Sequence, residues 1–360
     1  MKKVFILFGS LVFLFTLSCK KDKEIAANDP YAYDPTPYQL NLPQGFGWKQ
    51  FPIPADNPLT VAGVELGEKL FHEKMLSANN TQSCATCHKP EFAYSDFGNQ
   101  FSEGISGQKG NRNAPALFNL AWADLYNLSG HRYFWDGGKG DLEQQAVGPI
   151  VNPIEMASNL LDVVNKLQKH PEYPKLFKRA FGNDSITVSK IVKAIAQFER
   201  TLISSNSPYD QAERRERQRT PSEYRGMILF NSEAGGDCFH CHGNLSSPYF
   251  TNFMFHNTGL DEVPPDSGLY RITGNPADIG KFKTPSLRNL VFTAPYMHDG
   301  RFKTLEEVIE FYNSGVKMSP SVDPNIAKHA VSGLHLTPQD KIDLLNFLVS
   351  LSDSTFIKEK

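Results

Sequence analysis

A pentapeptide that occurs twice constrains this chain more than any other feature. Both copies have the pattern C-x-x-C-H: CATCH from Cys84 to His88, and CFHCH from Cys238 to His242. Two thiols at this spacing can form thioethers to the two vinyl groups of one porphyrin, while the adjacent imidazole reaches the iron. A redox C-x-x-C pair or half of a zinc site does not need the following histidine in both copies. We therefore predict two covalently bound c-type haems, attached and ligated through Cys84, Cys87 and His88 for the first and Cys238, Cys241 and His242 for the second.

Similarity between the two halves extends beyond these motifs. Each half has a leucine-phenylalanine pair that ends a helix-like segment before its first cysteine, and each has two further matching segments downstream, in the same order. Parallel order of this kind is the mark of an internal duplication. The matching segments are Leu70-Phe71 with Leu229-Phe230, Pro115–Leu120 with Pro285–Leu290, and Trp135 to Glu143 with His298 to Glu306.

Periodicity predicts a mainly α fold. Apolar residues at helical spacing form one face from Ile191 to Leu202, and Thr220, Thr304 and Thr337 are suited to cap helix starts. No alternating β pattern of useful length is present. The sequence therefore predicts two c-type cytochrome-like haem domains with long loops, over residues 41–205 and 206–360. The charged stretch Arg214 to Arg219 fits a solvated connector between them.

The N-terminal segment predicts export. Lys2 and Lys3 precede the apolar run Val4 to Leu17, which is long enough for a signal-peptide core but short for a membrane span. Ser18 before the lone Cys19 resembles a bacterial lipoprotein signal, in which Cys19 is lipidated; an ordinary secretory signal is the alternative. We expect a signal peptide over 1–18, a flexible tether over 19–40, and a periplasmic or cell-envelope protein held to a membrane only by a lipid anchor.

Net charge argues against one class of partner. The chain has 37 lysines and arginines against 39 aspartates and glutamates, which gives a formal net charge of -2. Binding to nucleic acid depends largely on cationic groups that displace counterions from phosphates. We expect no nucleic-acid partner.

From about Leu66 to Leu351 the chain resembles bacterial di-haem cytochrome c peroxidases, within the wider group that includes the MauG-type enzymes of methylamine utilisation. The resemblance rests on ordered motifs in both halves. These are Cys84–His88, Asn111–Pro115, Phe134–Gly137, Glu143–Ala146, Asn152–Met156, Cys238–His242, Lys283–Asn289 and Pro295–Gly300.

The resemblance implies roles for three residues around the first haem. In this family the N-terminal haem is the peroxidatic site, the C-terminal haem takes in and stores electrons, and a tryptophan, here matched by Trp135, lies between them. Glu155 and Gln145 match the pair on the open side of the first haem. A carboxylate there can move a proton between the peroxide oxygens while an amide holds them.

Two departures from the ordinary family pattern point to the MauG-type branch. Many members carry a removable distal histidine in a segment that aligns with Gly104 to Gly110, and Ile105 replaces it here. The first haem should therefore be open to peroxide, unless His72 or His131 reaches it. Tyr312 stands fourteen residues beyond His298, where ordinary members have the methionine ligand of the second haem. A core tyrosine, with Met318 or Met297 as the ligand, is the alternative.

Other site residues are implied by the resemblance alone. Asn113, Thr293 and Pro295 match residues that contribute oxygens to a bound calcium ion, which prefers such hard ligands. Arg288 and His298 match positions near the second haem, where a cation and a hydrogen-bond donor could balance its propionates.

The expected function is that of an exported di-haem peroxidase, which reduces hydrogen peroxide at the N-terminal haem with electrons relayed through the C-terminal haem. The alternative is a MauG-type enzyme that uses peroxide equivalents to oxidise residues of a partner protein. A plain electron-transfer cytochrome is a third hypothesis. We expect hydrogen peroxide and either a small cytochrome c or cupredoxin donor or a protein substrate as partners; a homodimer is a further candidate.

Overall fold

The computed structural model describes residues 29–43, 47–126, 130–243 and 247–358. Within these ranges the chain is mainly helical, as predicted, and its strand pair consists of β1, Phe255–His256, and β2, Phe282–Lys283, which run antiparallel. No helix in these ranges has the length and apolar character needed to cross a membrane. The predicted signal peptide and Cys19 lie outside the described residues.

The α-helices are numbered in chain order through the described ranges. They are α1 Val61–Phe71, α2 Cys84–Cys87, α3 Ala123–Tyr126, α4 Leu142–Val151, α5 Leu160–Lys169, α6 Tyr173–Phe181, α7 Val188–Arg200, α8 Pro208–Glu213, α9 Pro221–Phe230, α10 Phe239–His242, α11 Tyr270–Thr273, α12 Leu305–Glu310, α13 Pro324–Ala327 and α14 Pro338–Ser350. Short 3-10 turns cover Lys74–Leu76, Pro90–Phe92, Leu120–Trp122, Pro276–Asp278 and Leu290–Phe292, and a π-helical turn covers Phe311–Gly315.

Both halves are built on the same helix crossing, which confirms the duplication. In the first half α1 packs against α7, and in the second α9 packs against α14. A glycine stands at each crossing: a Cβ atom on Gly67 would lie 1.9 Å from the carbonyl oxygen of Ala194, and one on Gly226 would lie 2.0 Å from that of Asp343. Only a residue without a side chain lets the two backbones approach this closely.

Local signals in the sequence account for the helix boundaries. The hydroxyl groups of Thr220, Thr304 and Thr337 each accept a hydrogen bond from a backbone N–H three residues on, at 3.1 to 3.2 Å, so all three predicted caps are confirmed. Helices α1 and α9 end at the predicted Leu-Phe pairs. On α7, Ile191 and Ile195 belong to the core of the N-terminal half.

Each half has its own hydrophobic core. A third cluster joins the halves, because residues of the N-terminal half such as Trp122 pack there against Tyr249 of the C-terminal half at a ring distance of 5.4 Å. The first core includes Leu70, Phe177 and Ile195, and the second includes Phe230, Phe347 and Leu351.

One segment differs from its predicted character. Residues 29–40, expected to belong to a flexible tether, lie on the N-terminal half: the N–H of Asp34 donates to the carbonyl of Arg179 at 2.9 Å, and that of Tyr38 donates to the carbonyl of Leu59 at 3.1 Å. Sequence composition indicated a polar segment but not these distant partners. The charged stretch Arg214 to Arg219 follows α8, and its residues are exposed or half-buried. The domain boundary at 205/206 stays a prediction.

Candidate haem sites and the region between them

The first cysteine motif forms a short helix that presents His88 at its end. The Nδ1 atom of His88 lies 2.9 Å from the carbonyl oxygen of Tyr94, which the left-handed backbone of Tyr94 (φ 58°) directs toward the ring. A histidine that donates from Nδ1 keeps Nε2 available for a metal. Burial lowers the pKa of His88, which favours the neutral, metal-binding form.

The second motif repeats this arrangement. The Nδ1 atom of His242 lies 3.2 Å from the carbonyl oxygen of Phe250, whose φ of 51° is again left-handed. Burial lowers the pKa of His242 to about 4, so its imidazole is neutral near pH 7. Both motifs therefore hold a neutral histidine with its Nε2 atom unused by the backbone contact.

None of the four motif cysteines forms a disulfide in the described part of the chain. Burial raises the pKa of each, to about 12 for Cys238 and Cys241. A protonated, buried thiol is a poor nucleophile for redox exchange. The structure therefore disfavours a redox role for these pairs, and covalent attachment of a porphyrin stays a prediction.

A large cavity occupies the C-terminal half and reaches the boundary with the N-terminal half. Cys238, Cys241 and His242 line it, together with Tyr312 and Met297. The cavity extends as far as Trp135 and Gln145. Two thiols, a neutral imidazole and a buried phenol around one largely apolar space are a donor set that fits a c-type haem.

The structure separates the three candidate distal ligands of the second haem. Tyr312 lies in the π-helical turn that follows α12, and burial raises the pKa of its hydroxyl. Met297 also lines the cavity, whereas Met318 is 50% exposed and is not part of the cavity wall. Tyr312 and Met297 therefore both stay candidates for the ligand. The assignment of Tyr312 as its ligand stays a prediction.

Glu155 lies beside the first cysteine motif. Its charge is close enough to raise the pKa of both Cys84 and Cys87. Glu155 is an exposed residue, yet the surrounding protein removes enough hydration from its carboxyl group to raise the pKa of Glu155. The Nδ2 group of Asn152 donates to its Oε1 at 2.7 Å. This carboxyl group is thus held in place and exchanges a proton more readily near neutral pH than an ordinary glutamate.

The loop that would carry a distal histidine in ordinary members is packed onto the Glu155 backbone. The N–H of Ile105 donates to the carbonyl of Glu155 at 2.9 Å, and a Cβ on Gly104 would lie 1.6 Å from the carbonyl oxygen of Ile154. His72 is exposed at the end of α1, and His131 is partly buried against Gly137. The isoleucine therefore stands next to the predicted acid-base residue.

Gln145 lies on α4 and is buried. Its Oε1 atom has no hydrogen-bond partner in the described part of the chain. A buried amide oxygen without a partner is costly, and such groups commonly serve a ligand. The structure groups Gln145 with Trp135 on the cavity wall and Glu155 with the first cysteine pair. Their joint action on one peroxide stays a prediction.

Trp135 connects the two halves through hydrogen bonds. Its Nε1–H donates to the carbonyl of Asn113 at 2.8 Å, and its own carbonyl accepts from the N–H of Lys283 at 2.9 Å. Asn113 in turn donates its backbone N–H to the carbonyl of His298 at 2.7 Å. Trp135 thus lines the cavity, and its backbone bonds to the C-terminal half; its role between two redox centres stays a prediction.

The predicted calcium residues share the cavity wall. Asn113, Thr293 and Pro295 all line it, and the Asn113 amide nitrogen donates to the carbonyls of Asn99 and Gln100 at 3.1 and 3.2 Å. Within the described ranges, no group of three or more histidines, cysteines or acids could hold a metal ion. A cation here would therefore depend on carbonyl and amide oxygens, and its presence stays a prediction.

Arg288 and His298 also line the cavity. The Arg288 guanidinium is fully buried and makes two bonds of 2.7 Å to Asp210, so much of its charge is already balanced. His298 stacks on Phe282 with ring centroids 3.6 Å apart, and burial lowers its pKa to about 4. Their roles toward propionates stay predictions.

Sequence reasoning assigned no role to two ionisable residues inside the protein, one half-buried and one buried. Lys283 lies in β2 on the cavity wall, and burial lowers its pKa to about 8. Glu199 lies on α7 near Cys84; its Oε2 atom has no hydrogen-bond partner in the described ranges, and burial raises its pKa to about 8. For Lys283, the only signal in the sequence was its place at the start of the family motif Lys283–Asn289. Nothing in the sequence around Glu199 distinguishes it from a surface acid.

Comparison with known proteins gives consistent matches over both halves. The family model of di-haem cytochrome c peroxidases, CCP_MauG, matches residues 61–218. The methylamine utilization protein MauG of Methylophilus methylotrophus is 36% identical over 324 residues, which cover 88% of this chain and 91% of that protein. The cytochrome-c peroxidase IdrP1 of Pseudomonas sp. (strain SCT) is 33% identical over 333 residues, covering 84% of each.

Solved structures agree with these matches. The crystal structure of a MauG-like protein associated with microbial copper homeostasis has a TM-score of 0.77 at 36% identity, and the match covers 89% of this chain and 97% of that chain. The diheme peroxidase BthA of Burkholderia thailandensis has a TM-score of 0.69 at 22% identity, covering 90% of this chain and 95% of its own, and shares the fold.

Proposed function

Because the chain belongs to the di-haem cytochrome c peroxidase family, we propose that it reduces hydrogen peroxide at its N-terminal haem with electrons relayed through its C-terminal haem. Two haems per chain and an oxidoreductase activity of the peroxidase type follow from the family. The roles of individual residues are our proposal, and the geometry of the two halves supports them.

One observation carries the proposal: the two halves match at the motif histidines and differ at the position of Tyr312. His88 and His242 have the same contact to a backbone carbonyl. Tyr312 lines the C-terminal cavity and stands seven residues after Leu305, the first residue of α12. In the first half, the residue seven positions after Leu142, the first residue of α4, is Pro149. Proline has no side-chain donor for iron. The first haem would therefore be open to peroxide and the second closed.

The haem irons would supply the redox equivalents for cleavage of the O–O bond. Glu155 would accept the proton of one peroxide oxygen and return it to the other, which is the transfer that heterolysis requires. Asn152 holds the Glu155 carboxyl group through its 2.7 Å hydrogen bond. Gln145 would orient peroxide through its side-chain amide.

Electrons would pass between the halves through Trp135. Its indole N–H, the Asn113 carbonyl and the contact from the Asn113 N–H to the His298 carbonyl form a continuous set of hydrogen bonds across the boundary. Tyr312 would act as a hard anionic ligand of the second haem and favour its oxidised state.

The MauG-type alternative has specific support. A tyrosine on the second cavity and Ile105 in place of a distal histidine both depart from the ordinary peroxidase pattern, and relatives at 33% to 36% identity are named in both ways. In that case the partner would be a protein whose residues are oxidised, instead of a small cytochrome c or cupredoxin that donates electrons.

Further details belong to the same proposal. The haems would be attached through the four motif cysteines, and one calcium ion would lie at Asn113, Thr293 and Pro295. The protein would be exported to the periplasm or cell envelope and anchored through lipidated Cys19. A homodimer is also consistent with the proposal.

A peroxide titration of the resting ferric holoprotein, followed by addition of reduced cytochrome c, tests the proposal. Steady oxidation of the cytochrome supports the peroxidase. A two-equivalent oxidised spectrum shared by both haems, without cytochrome turnover, supports the MauG-type alternative. A spectrum that does not respond to peroxide would contradict both and leave electron transfer.

A further inference from the structure

Lys283 is a half-buried cation on the wall of the large cavity. It lies in β2. Its Nζ atom lies 5.7 Å from the centroid of the Tyr133 ring, a distance typical of a cation–π contact. Within the described ranges this Nζ atom has no hydrogen bond and no carboxylate partner.

Two other cations of this region are neutralised by the chain itself. Arg288 pairs with Asp210 through two bonds of 2.7 Å, and Arg112 pairs with Asp136 and Asp266 at 2.6 and 2.7 Å. An unpaired buried charge is strongly unfavourable. The lowered pKa of Lys283 reflects that burial, with no carboxylate to oppose it. Lys283 therefore needs an anion that the described chain does not provide.

We propose that Lys283 binds a propionate carboxylate of the haem held by Cys238, Cys241 and His242. This proposal rests on the proposed function. The cavity that contains these three residues also contains Lys283. A haem brings carboxylates to a pocket whose wall is otherwise largely apolar, and an ammonium group is a suitable partner for them.

The backbone places this ion pair next to the tryptophan between the halves. The N–H of Lys283 donates to the carbonyl of Trp135 at 2.9 Å, and pairing with β1 fixes the strand. Tyr133 is held in turn, because its hydroxyl donates to Asp124 at 3.0 Å. Lys283 is thus a positioning residue, which holds the propionate edge of the second haem beside Trp135.

A cation at this position has a measurable electrostatic consequence. Reduction adds one negative charge to the haem, and a nearby ammonium group stabilises that state. Removal of the ammonium group should lower the reduction potential of the C-terminal haem. The N-terminal haem should keep its potential.

The test compares holoprotein variants K283M, K283R and K281M by spectroelectrochemical titration and haem content. Lys281 lies two residues away and pairs with Asp278 at 3.1 Å, so K281M is a matched control. K283M should lower the C-terminal midpoint potential, K283R should restore it, and K281M should leave it unchanged. Where K283M does not yield holoprotein, K283Q removes the charge at similar length and should shift the potential in the same direction.

Redox-difference infrared spectra, with the haem propionates labelled with ¹³C, identify the partner directly. The propionate band should move in K283M and not in K281M. An unchanged potential or an unmoved propionate band in a K283M protein with two haems would overturn the proposal, as would a shift confined to the N-terminal haem. Wild-type protein with fewer than two haems would instead overturn the proposed function, so the two failures are distinguishable.

Discussion

The two halves of the chain have the same scaffold but differ at residues that we propose to lie on the distal sides of the haems. In both, a glycine lets two helices cross in close contact, Gly67 in the first and Gly226 in the second. In both, the motif histidine is oriented by a carbonyl whose residue has a left-handed backbone. The parts that hold a haem have thus been kept in both copies.

The residues that we propose for the distal sides differ at matching positions of the two halves. Trp135 in the first half corresponds to His298 in the second, and Pro149 corresponds to Tyr312. Pro149 lies within the regular helix α4, whereas Tyr312 lies in a π-helical turn, a feature that is often found at functional sites. The comparison indicates how one fold can hold two haems of different reactivity: the attachment side is conserved and the opposite side is changed.

Removal of either haem should have the largest effect and should separate the two roles. The double variants C84S/C87S and C238S/C241S should each contain one haem per chain instead of two, because a serine cannot form the thioether. Only C84S/C87S should lose its spectral response to peroxide. Haem content, circular dichroism and stopped-flow spectra measure these outcomes; a peroxide response that persists without the first haem would break the assignment of roles.

Substitution E155Q should slow the reaction with peroxide by about 10²- to 10⁴-fold, the range typical of a lost acid-base group. The exposed Glu91, beside the same motif, provides the control E91Q. Haem content should stay at two per chain in both. An unchanged rate in E155Q would exclude the acid-base role.

The same residue predicts a pH dependence. Glu155 must be deprotonated to accept a proton, and burial raises its pKa above the ordinary value of 4.5. The rate constant for peroxide should therefore fall as the pH falls through this raised pKa. In E155Q this fall in rate at low pH should disappear. If both proteins show the same fall, the pH dependence belongs to another group.

Substitution Y312F should change the optical spectrum of the C-terminal haem and raise its reduction potential, because an anionic ligand that favours the ferric state is removed. Tyr296 lines the same cavity, but its hydroxyl donates to the Leu290 carbonyl at 2.9 Å, so Y296F is the matched control. If both variants keep the wild-type spectrum, Met297 becomes the candidate ligand.

Alanine at the helix crossings should have the smallest effect and should be similar in the two halves. A new Cβ on Gly67 or Gly226 would clash with a backbone carbonyl, so G67A and G226A should each lower the free energy of unfolding by about 1–3 kcal/mol. Gly110 has open space around it, and G110A is the control. Thermal unfolding of the holoproteins checks this; a neutral result at one crossing would show that the scaffolds are not equivalent.

Much of the scaffold could be predicted from the sequence because its signals are local. The caps at Thr220, Thr304 and Thr337, the ends of α1 and α9, and the duplication all depend on residues close together in the chain. The contact between residues 29–40 and the N-terminal half could not be predicted, since its partners, such as Arg179, are far away in sequence.

In the candidate site, too, local signals could be predicted from the sequence and distant contacts could not. The cysteine motifs predicted the two haem positions, and resemblance to a family suggested roles for Glu155, Trp135 and Tyr312. The sequence could not show that Lys283 lacks a carboxylate partner, because this depends on which carboxylates the fold brings close. Asp210 pairs with Arg288 and Asp266 pairs with Arg112. No carboxylate in the described ranges pairs with Lys283.

Electron paramagnetic resonance of the purified ferric holoprotein, before and after one equivalent of hydrogen peroxide, tests the division between the two haems most directly. We expect two haems per chain, one high-spin signal from the open N-terminal iron and one low-spin signal from the Tyr312-ligated iron, with the high-spin signal lost on addition of peroxide. Two low-spin signals that peroxide leaves unchanged would contradict the account.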